Sequence, residues 1–158
     1  MDQTCLFLAD QIRRAFEGDA WHGPSLRELL ADISPMQAAA HPISSGHSIW
    51  EIVLHITVWT EIAFHAMQGT SMPHQLPEER DWAKPFDIGP QAWNKTIRLS
   101  LETEAKLCRA IETFPVERLL AIVPGREYNF QFLLSGIAQH SLYHAGQIAL
   151  LKKAAQAI

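Results

Sequence analysis

The sequence predicts an all-α protein built as a four-helix bundle. Three observations carry that expectation. Apolar residues recur at helical spacing in four long stretches, strand-like alternation is nearly absent, and 158 residues, 47% of them hydrophobic, suit one globular domain over 1–158. The first stretch runs from about Gln3 to Glu17, with Leu8, Ile12 and Phe16 on one face and Gly18 as its stop signal. A short helix follows Ser25, a favoured N-cap residue. It carries Leu26, Leu29 and Leu30 and is expected to end before Pro35. The second long helix spans about His47 to Met67 and is closed by Gly69. The third starts near Pro90, because the fixed φ of proline suits a first turn. It presents Trp93, Ile97, Leu101, Cys108 and Ile111 before Pro115. The fourth covers about Phe130 to Ala155, with Asn129 placed to cap it. Leu120 to Val123 is a brief extended candidate.

The connection from Gly69 to Gly89 is the anomaly. With Pro73, Pro77 and Pro85 inside it and Pro90 at its end, it is not expected to be helical. It exceeds the roughly 12–15 residues beyond which loops are usually functional or disordered. Trp82, Phe86 and Ile88 argue that it packs rather than floats. A crossover of this length lets the second and third long helices run parallel. It serves either as simple connectivity or as a lid over a site.

Composition narrows the function. Net charge is −4 and no lysine or arginine cluster occurs, which argues against nucleic acid as a partner. The Lys152-Lys153 pair is explained by the carboxyl end of a helix dipole. No apolar run reaches the roughly 18–20 residues of a membrane span, so no membrane partner is expected. Met1-Asp2-Gln3-Thr4 lacks the basic stretch of a signal peptide. Cys5 and Cys108 are too few for a disulfide framework. Together these point to a cytoplasmic protein with two buried thiols.

The chemistry centres on histidine. His140 and His144 are four residues apart, about one helical turn, so their imidazoles leave one face of the last helix. Alone, that spacing is weak evidence. On the second long helix, however, Ile52, Val58, Trp59 and Ile62 lie on the same side as His55, which turns it toward the core. Leu133, Ile137 and Leu151 flank His140 and His144 likewise. A buried polar group without a partner costs about 1–3 kcal/mol. A shared metal ion satisfies three imidazoles at once; three separately hydrogen-bonded core histidines are the alternative. Three neutral nitrogens would leave a coordination position open, the layout of a catalytic rather than a structural site. Such an ion acts as a Lewis acid or lowers the pKa of a bound water or thiol. Zinc and nickel suit the ligands best, with iron and manganese also compatible. Two known layouts are absent. Ser141 follows His140, so there is no His-Glu-x-x-His motif, and no Glu-x-x-His occurs anywhere in the chain.

Glu51, one turn before His55, is a candidate fourth ligand, hydrogen-bond acceptor for an imidazole, or general base; a rim carboxylate paired with an arginine is the plainer role. Tyr143 and Gln147 neighbour the pair at helical spacing, Tyr143 able to donate to a substrate or to another helix. Gly136, one turn before His140, permits close approach of a helix or ligand. His22, His41 and His74 fall in loops and are expected to face solvent, and His47 and His65 to flank their helix.

His47-Ser48-Ile49-Trp50-Glu51-Ile52-Val53-Leu54-His55-Ile56 and the run from Gly136 to Ile148, containing His140-Ser141-Leu142-Tyr143-His144, resemble the two signature helices of the DinB/YfiT-like superfamily. Trp21-His22-Gly23-Pro24-Ser25-Leu26 and Asp81-Trp82 are supporting matches in the right order. The resemblance implies an up-down-down-up bundle, a divalent metal on His55, His140 and His144, and a homodimer. Where activity is known, some members resemble transferases that use a low-molecular-weight thiol such as bacillithiol or mycothiol, and one branch isomerises maleylpyruvate. The expectation is therefore a metal-dependent enzyme acting on a small molecule, with a small thiol as its co-substrate. A non-catalytic, metal-binding stress-response protein with a saturated metal is the alternative from another class. A bundle without metal is the third.

Overall fold

Each long helix begins where a side chain or a proline settles the free N–H groups of its first turn. The structure, a computed structural model, describes residues 1–156. Among them it has seven α-helices, one 3-10 turn and no strand. Helix α1 (Gln3–Phe16) is capped by Asp2, whose carboxylate accepts from the Thr4 N–H at 2.7 Å. Helix α2 (Leu26–Leu30) opens on a reciprocal Ser25/Glu28 capping box, and α3 (Pro35–Ala39) on a Ser34/Gln37 box. Helix α2 ends before Pro35 as expected, and Pro35 is itself the first residue of a new turn, where its missing N–H costs nothing. Helix α4 (Ile49–Met67) opens on a Ser48/Glu51 box, α6 (Pro90–Glu112) on Gly89 and Pro90, and α7 (Phe130–Gln156) on Asn129, whose side chain accepts from the Phe132 N–H at 2.9 Å.

The long connection departs from expectation in two ways. It contains a single helical turn, α5 (Glu78–Asp81), started by Pro77. The prolines that forbid a long helix here thus also start a short one. Of the residues expected to pack, Trp82 is partly buried, whereas Phe86 and Ile88 are exposed. Met72 and Leu76 do the packing instead.

The long helices contact one another around a ring, with α1 and α4 each packing on both α6 and α7. Trp50 meets Trp93 and bonds Thr96 at 3.0 Å, so α4 and α6 start at the same end and run parallel, as the long crossover allows. Cys5 reaches the Phe114 carbonyl and Cys108 that of Ala9, which sets α1 and α6 antiparallel. Phe16, Trp50, Ile56, Leu107, Leu134 and Ile148 are among the fully buried side chains of the core. No described helix is long and apolar enough to cross a membrane.

Between α6 and α7 the chain makes a 3-10 turn (Val116–Leu120) and then a tight loop. Ile122 pairs with Asn129 in one isolated bridge, all that comes of the expected extended piece. At the loop tip Gly125 has φ +80°, and a Cβ there would lie 2.5 Å from Ser71 Oγ and 2.6 Å from the Met72 carbonyl. Only glycine fits this close approach. Met72 N–H donates to the Pro124 carbonyl at 2.8 Å, fastening the loop to the long connection.

Candidate metal centre

The triad is assembled by α4 and α7, which pass each other with His55 opposite His140 and His144. His55 and His144 are buried, 6% and 5% exposed, and His140 is partly so. Their ligand nitrogens lie within 4.8 Å of one another. His140 Nε2 is 3.0 Å from His55 Nε2 and 3.1 Å from His144 Nε2. Those separations are within the span of two metal–nitrogen bonds of about 2.0–2.1 Å.

Proton accounting tests whether the site fits a cation. His55 Nδ1 lies 2.9 Å from the backbone carbonyl of Asp81, which can only accept, so Nδ1 carries the proton and Nε2 of the neutral ring is a bare lone pair. His144 Nδ1 donates to Gln147 Oε1 at 2.7 Å, leaving its Nε2 bare as well. His140 Nε2, placed between them, can offer one proton to one neighbour only. The remaining contact sets two lone pairs face to face. A cation receives all three lone pairs, so the donor set fits a divalent metal. Burial, reinforced by the neighbouring His144 and His55 imidazoles, pushes the His140 pKa down to about 3. Burial lowers that of His144 too, against the Gln147 hydrogen bond. Both rings are therefore neutral at physiological pH, the form that binds metal.

The supports behind the ligands come from the long connection. Asp81 meets His55 Nδ1 with its carboxylate as well, also at 2.9 Å, and that carboxylate accepts from Trp59 Nε1 at 2.7 Å. Trp82 stacks on His55 with ring centroids 3.9 Å apart and on His47 at 3.6 Å, both within 2° of parallel. Two rings at that spacing must lie on opposite faces of the indole. Such orienting groups fix the tautomer and the direction of a ligand imidazole.

Glu51 lies elsewhere. Its carboxylate accepts from the Ser48 N–H at 2.7 Å and from His41 Nε2 at 2.9 Å, closing the α4 capping box. Its partner is thus a histidine rather than an arginine. Burial alone would raise its pKa; the Ser48 N–H and the His41 imidazole outweigh that and hold it below the usual carboxylate range. Gln147 orients His144. Tyr143 is exposed, 5.1 Å from the His144 ring centroid. His22, His41, His47, His65 and His74 are exposed; His41, expected at solvent, also bonds Glu51, and His47, expected on a helix flank, lies just before α4 and stacks on Trp82. Sequence reasoning missed Asp81 as a support: it ends a single four-residue turn, too short for periodicity to say what it faces.

Two clefts reach the triad. One, of about 440 Å³, is lined by His55, Trp59, Asp81, Tyr128, Phe132, Gly136 and His140 among others. The second, of about 310 Å³, is lined by His47, Trp82, Tyr143, His144, Gln147 and Leu150 among others. Asp81 faces the first and Trp82 the second, so the α5 segment stands between them. A family model described as the DinB superfamily matches residues 20–148, a span that includes all three histidines. The chain belongs to this superfamily. Neither the curated proteins nor the solved structures contain a match.

Proposed function

From that membership and the geometry of the triad, we propose that the chain is a metal-dependent enzyme, a transferase that uses a small thiol. The observation that carries the metal is the convergence of three nitrogens, two of them stripped of protons by partners on their far side. What supports catalysis is the lack of a fourth side chain aimed at that point among the described residues, together with two clefts that meet there. A coordinatively saturated metal with Glu51 as its fourth ligand is disfavoured, because Glu51 Oε2 serves Ser48 and His41.

When bound, a divalent ion on three neutral nitrogens would supply an open position that favours a deprotonated thiol; zinc or nickel suits the donor set. The chain's own residues do the rest. Asp81 and Trp82 hold His55, and Gln147 holds His144. The mostly apolar walls of the clefts would seat the body of the electrophile. In the transfer, the thiol proton passes to solvent, sulfur bonds to an electrophilic carbon, and the leaving group departs with its bonding pair. Neither cysteine serves as nucleophile: Cys5 and Cys108 are buried in the core away from both clefts, and burial raises the pKa of each.

The test is turnover of a simple electrophile by metal-loaded, tag-free protein with a panel of cellular thiols. Turnover should require both metal and thiol and vanish in His144→Ala. No turnover with any thiol by protein carrying its metal would overturn the transferase reading.

A further inference from the structure

The larger cleft holds one charge that the metal chemistry does not use. Arg126, on the loop whose tip is Gly125, lines this cleft at some remove from the triad in sequence and is half-buried. Among the described residues no carboxylate lies within ion-pair distance of it, although Arg13, Arg14, Arg27, Arg98 and Lys152 each have one. Its acceptors are neutral: the Pro73 carbonyl, and His74 through its carbonyl at 3.3 Å and Nδ1 at 3.4 Å. These bonds pin the loop to the long connection, but the Nε–H is buried with no acceptor at all. A guanidinium kept solely to pin two loops would not need to border a cavity. Asp81, the carboxylate in the same cleft, is already held by Trp59 and His55.

The rest of the cleft is apolar. Met72, Tyr128, Phe132 and Ile137 form its walls, and His55 and His140 stand at the metal end. About 440 Å³ falls in the range of small-molecule sites, roughly 300–1,000 Å³. A guanidinium with spare N–H groups recognises a planar or tetrahedral oxyanion by paired hydrogen bonds. We propose that this cleft seats an organic anion, an apolar body with a carboxylate or similar oxyanion held by Arg126. Resting on the transferase reading, this assigns the electrophilic substrate to the larger cleft and leaves the smaller one to the thiol.

The probe is 3-phenylpropane-1-sulfonate, a weak metal ligand, compared with the uncharged methyl sulfone of the same skeleton. Both are titrated calorimetrically into the full chain, metal-loaded and chelator-stripped. The sulfonate should bind at least about tenfold more tightly than the sulfone in both forms, the effect of a hydrogen bond to a charged group. Arg126→Gln should bring the ratio close to one, and Arg126→Lys should keep part of it. Because Arg126 also pins a loop, Gly136→Leu gives an independent check. Gly136 lines the cleft and a Cβ there meets nothing within 4 Å, so the new side chain starts in open space at the cleft wall and should weaken both probes. Equal affinity for the two probes overturns the proposal, as does a charge preference that survives Arg126→Gln, or binding untouched by Gly136→Leu. Protein that binds no metal but keeps an Arg126-dependent preference would sink the enzyme reading and uphold this one.

Discussion

Two groups of buried polar residues lie in this bundle, and they differ in what they leave unfinished. Between α4 and α7, three imidazoles are anchored from behind by Asp81 and Gln147 and turn bare nitrogens toward one point that two clefts reach. On α6, where it packs against α1, Glu104 and Cys108 answer each other. The Cys108 thiol donates to the carboxylate at 2.9 Å, and neither residue lines the two clefts that reach the triad. The two buried glutamates show the same contrast. Glu51, 3% exposed, is ringed by donors and stays ionised. Glu104, 2% exposed, has one weak donor, and burial raises its pKa. Burial of polar groups is thus not by itself a mark of function. Lone pairs converging on a reachable point are such a mark.

The largest effect that can break this contrast is removal of a ligand. His140→Ala takes away the nitrogen shared by both short contacts, and metal affinity should fall by well over the roughly 10–100-fold that loss of a supporting group costs. Competition against a chelator measures it. Unchanged affinity would place the metal elsewhere. Asp81→Ala should come next, about 10–100-fold in affinity, because His55 loses a carboxylate partner while keeping the backbone one. The same competition assay reads it, and a loss as large as that of His140→Ala would make Asp81 a ligand instead.

Glu104→Gln should move stability the other way. A carboxyl whose folded pKa is raised contributes stability that is complete below its unfolded value, about 4.3, and lost as pH rises through the folded value. The wild type loses that contribution as pH rises whereas the glutamine variant does not, so the variant should gain stability relative to the wild type with rising pH. Denaturant unfolding from pH 4 to 8 checks this: the gap between the proteins should open as pH rises. Glu51 has the opposite sign, its stabilisation present above the unfolded pKa and lost as pH falls through the lowered folded one. Ser100→Ala is the smallest change. The Ser100 hydroxyl is buried with no partner, so its removal should be neutral or slightly stabilising, within about 1 kcal/mol. A clear loss of stability would show that the hydroxyl has a bond after all.

The triad was legible because each ligand sits on a long, strongly periodic helix, where i to i+4 spacing and the apolar neighbours of His55 fix direction without tertiary knowledge. The four long helices were legible for the same reason, down to the Asn129 cap, and so was short α2 with its Ser25 cap. The turns α3 and α5 were not. In α3 the Ser34/Gln37 box was available as a signal, but five residues are too few for periodicity and Pro35 was weighed as a terminator. The supports of the site were hidden for a related reason. Asp81 and Trp82 reach it from the end of a single turn too short to show periodicity, and Arg126 lines its cleft only because Gly125 lets one loop lie against another. Such contacts are set by tertiary packing over dozens of residues, which a local pattern does not encode.

The most direct test of the three-nitrogen site is X-ray absorption at the metal edge on tag-free purified protein, before and after addition of a small thiol. Bound metal with three imidazole nitrogens is expected, with a non-protein oxygen completing the shell and replaced by sulfur when thiol is added. Protein without metal would contradict this expectation, as would a shell completed by a carboxylate and unchanged by thiol.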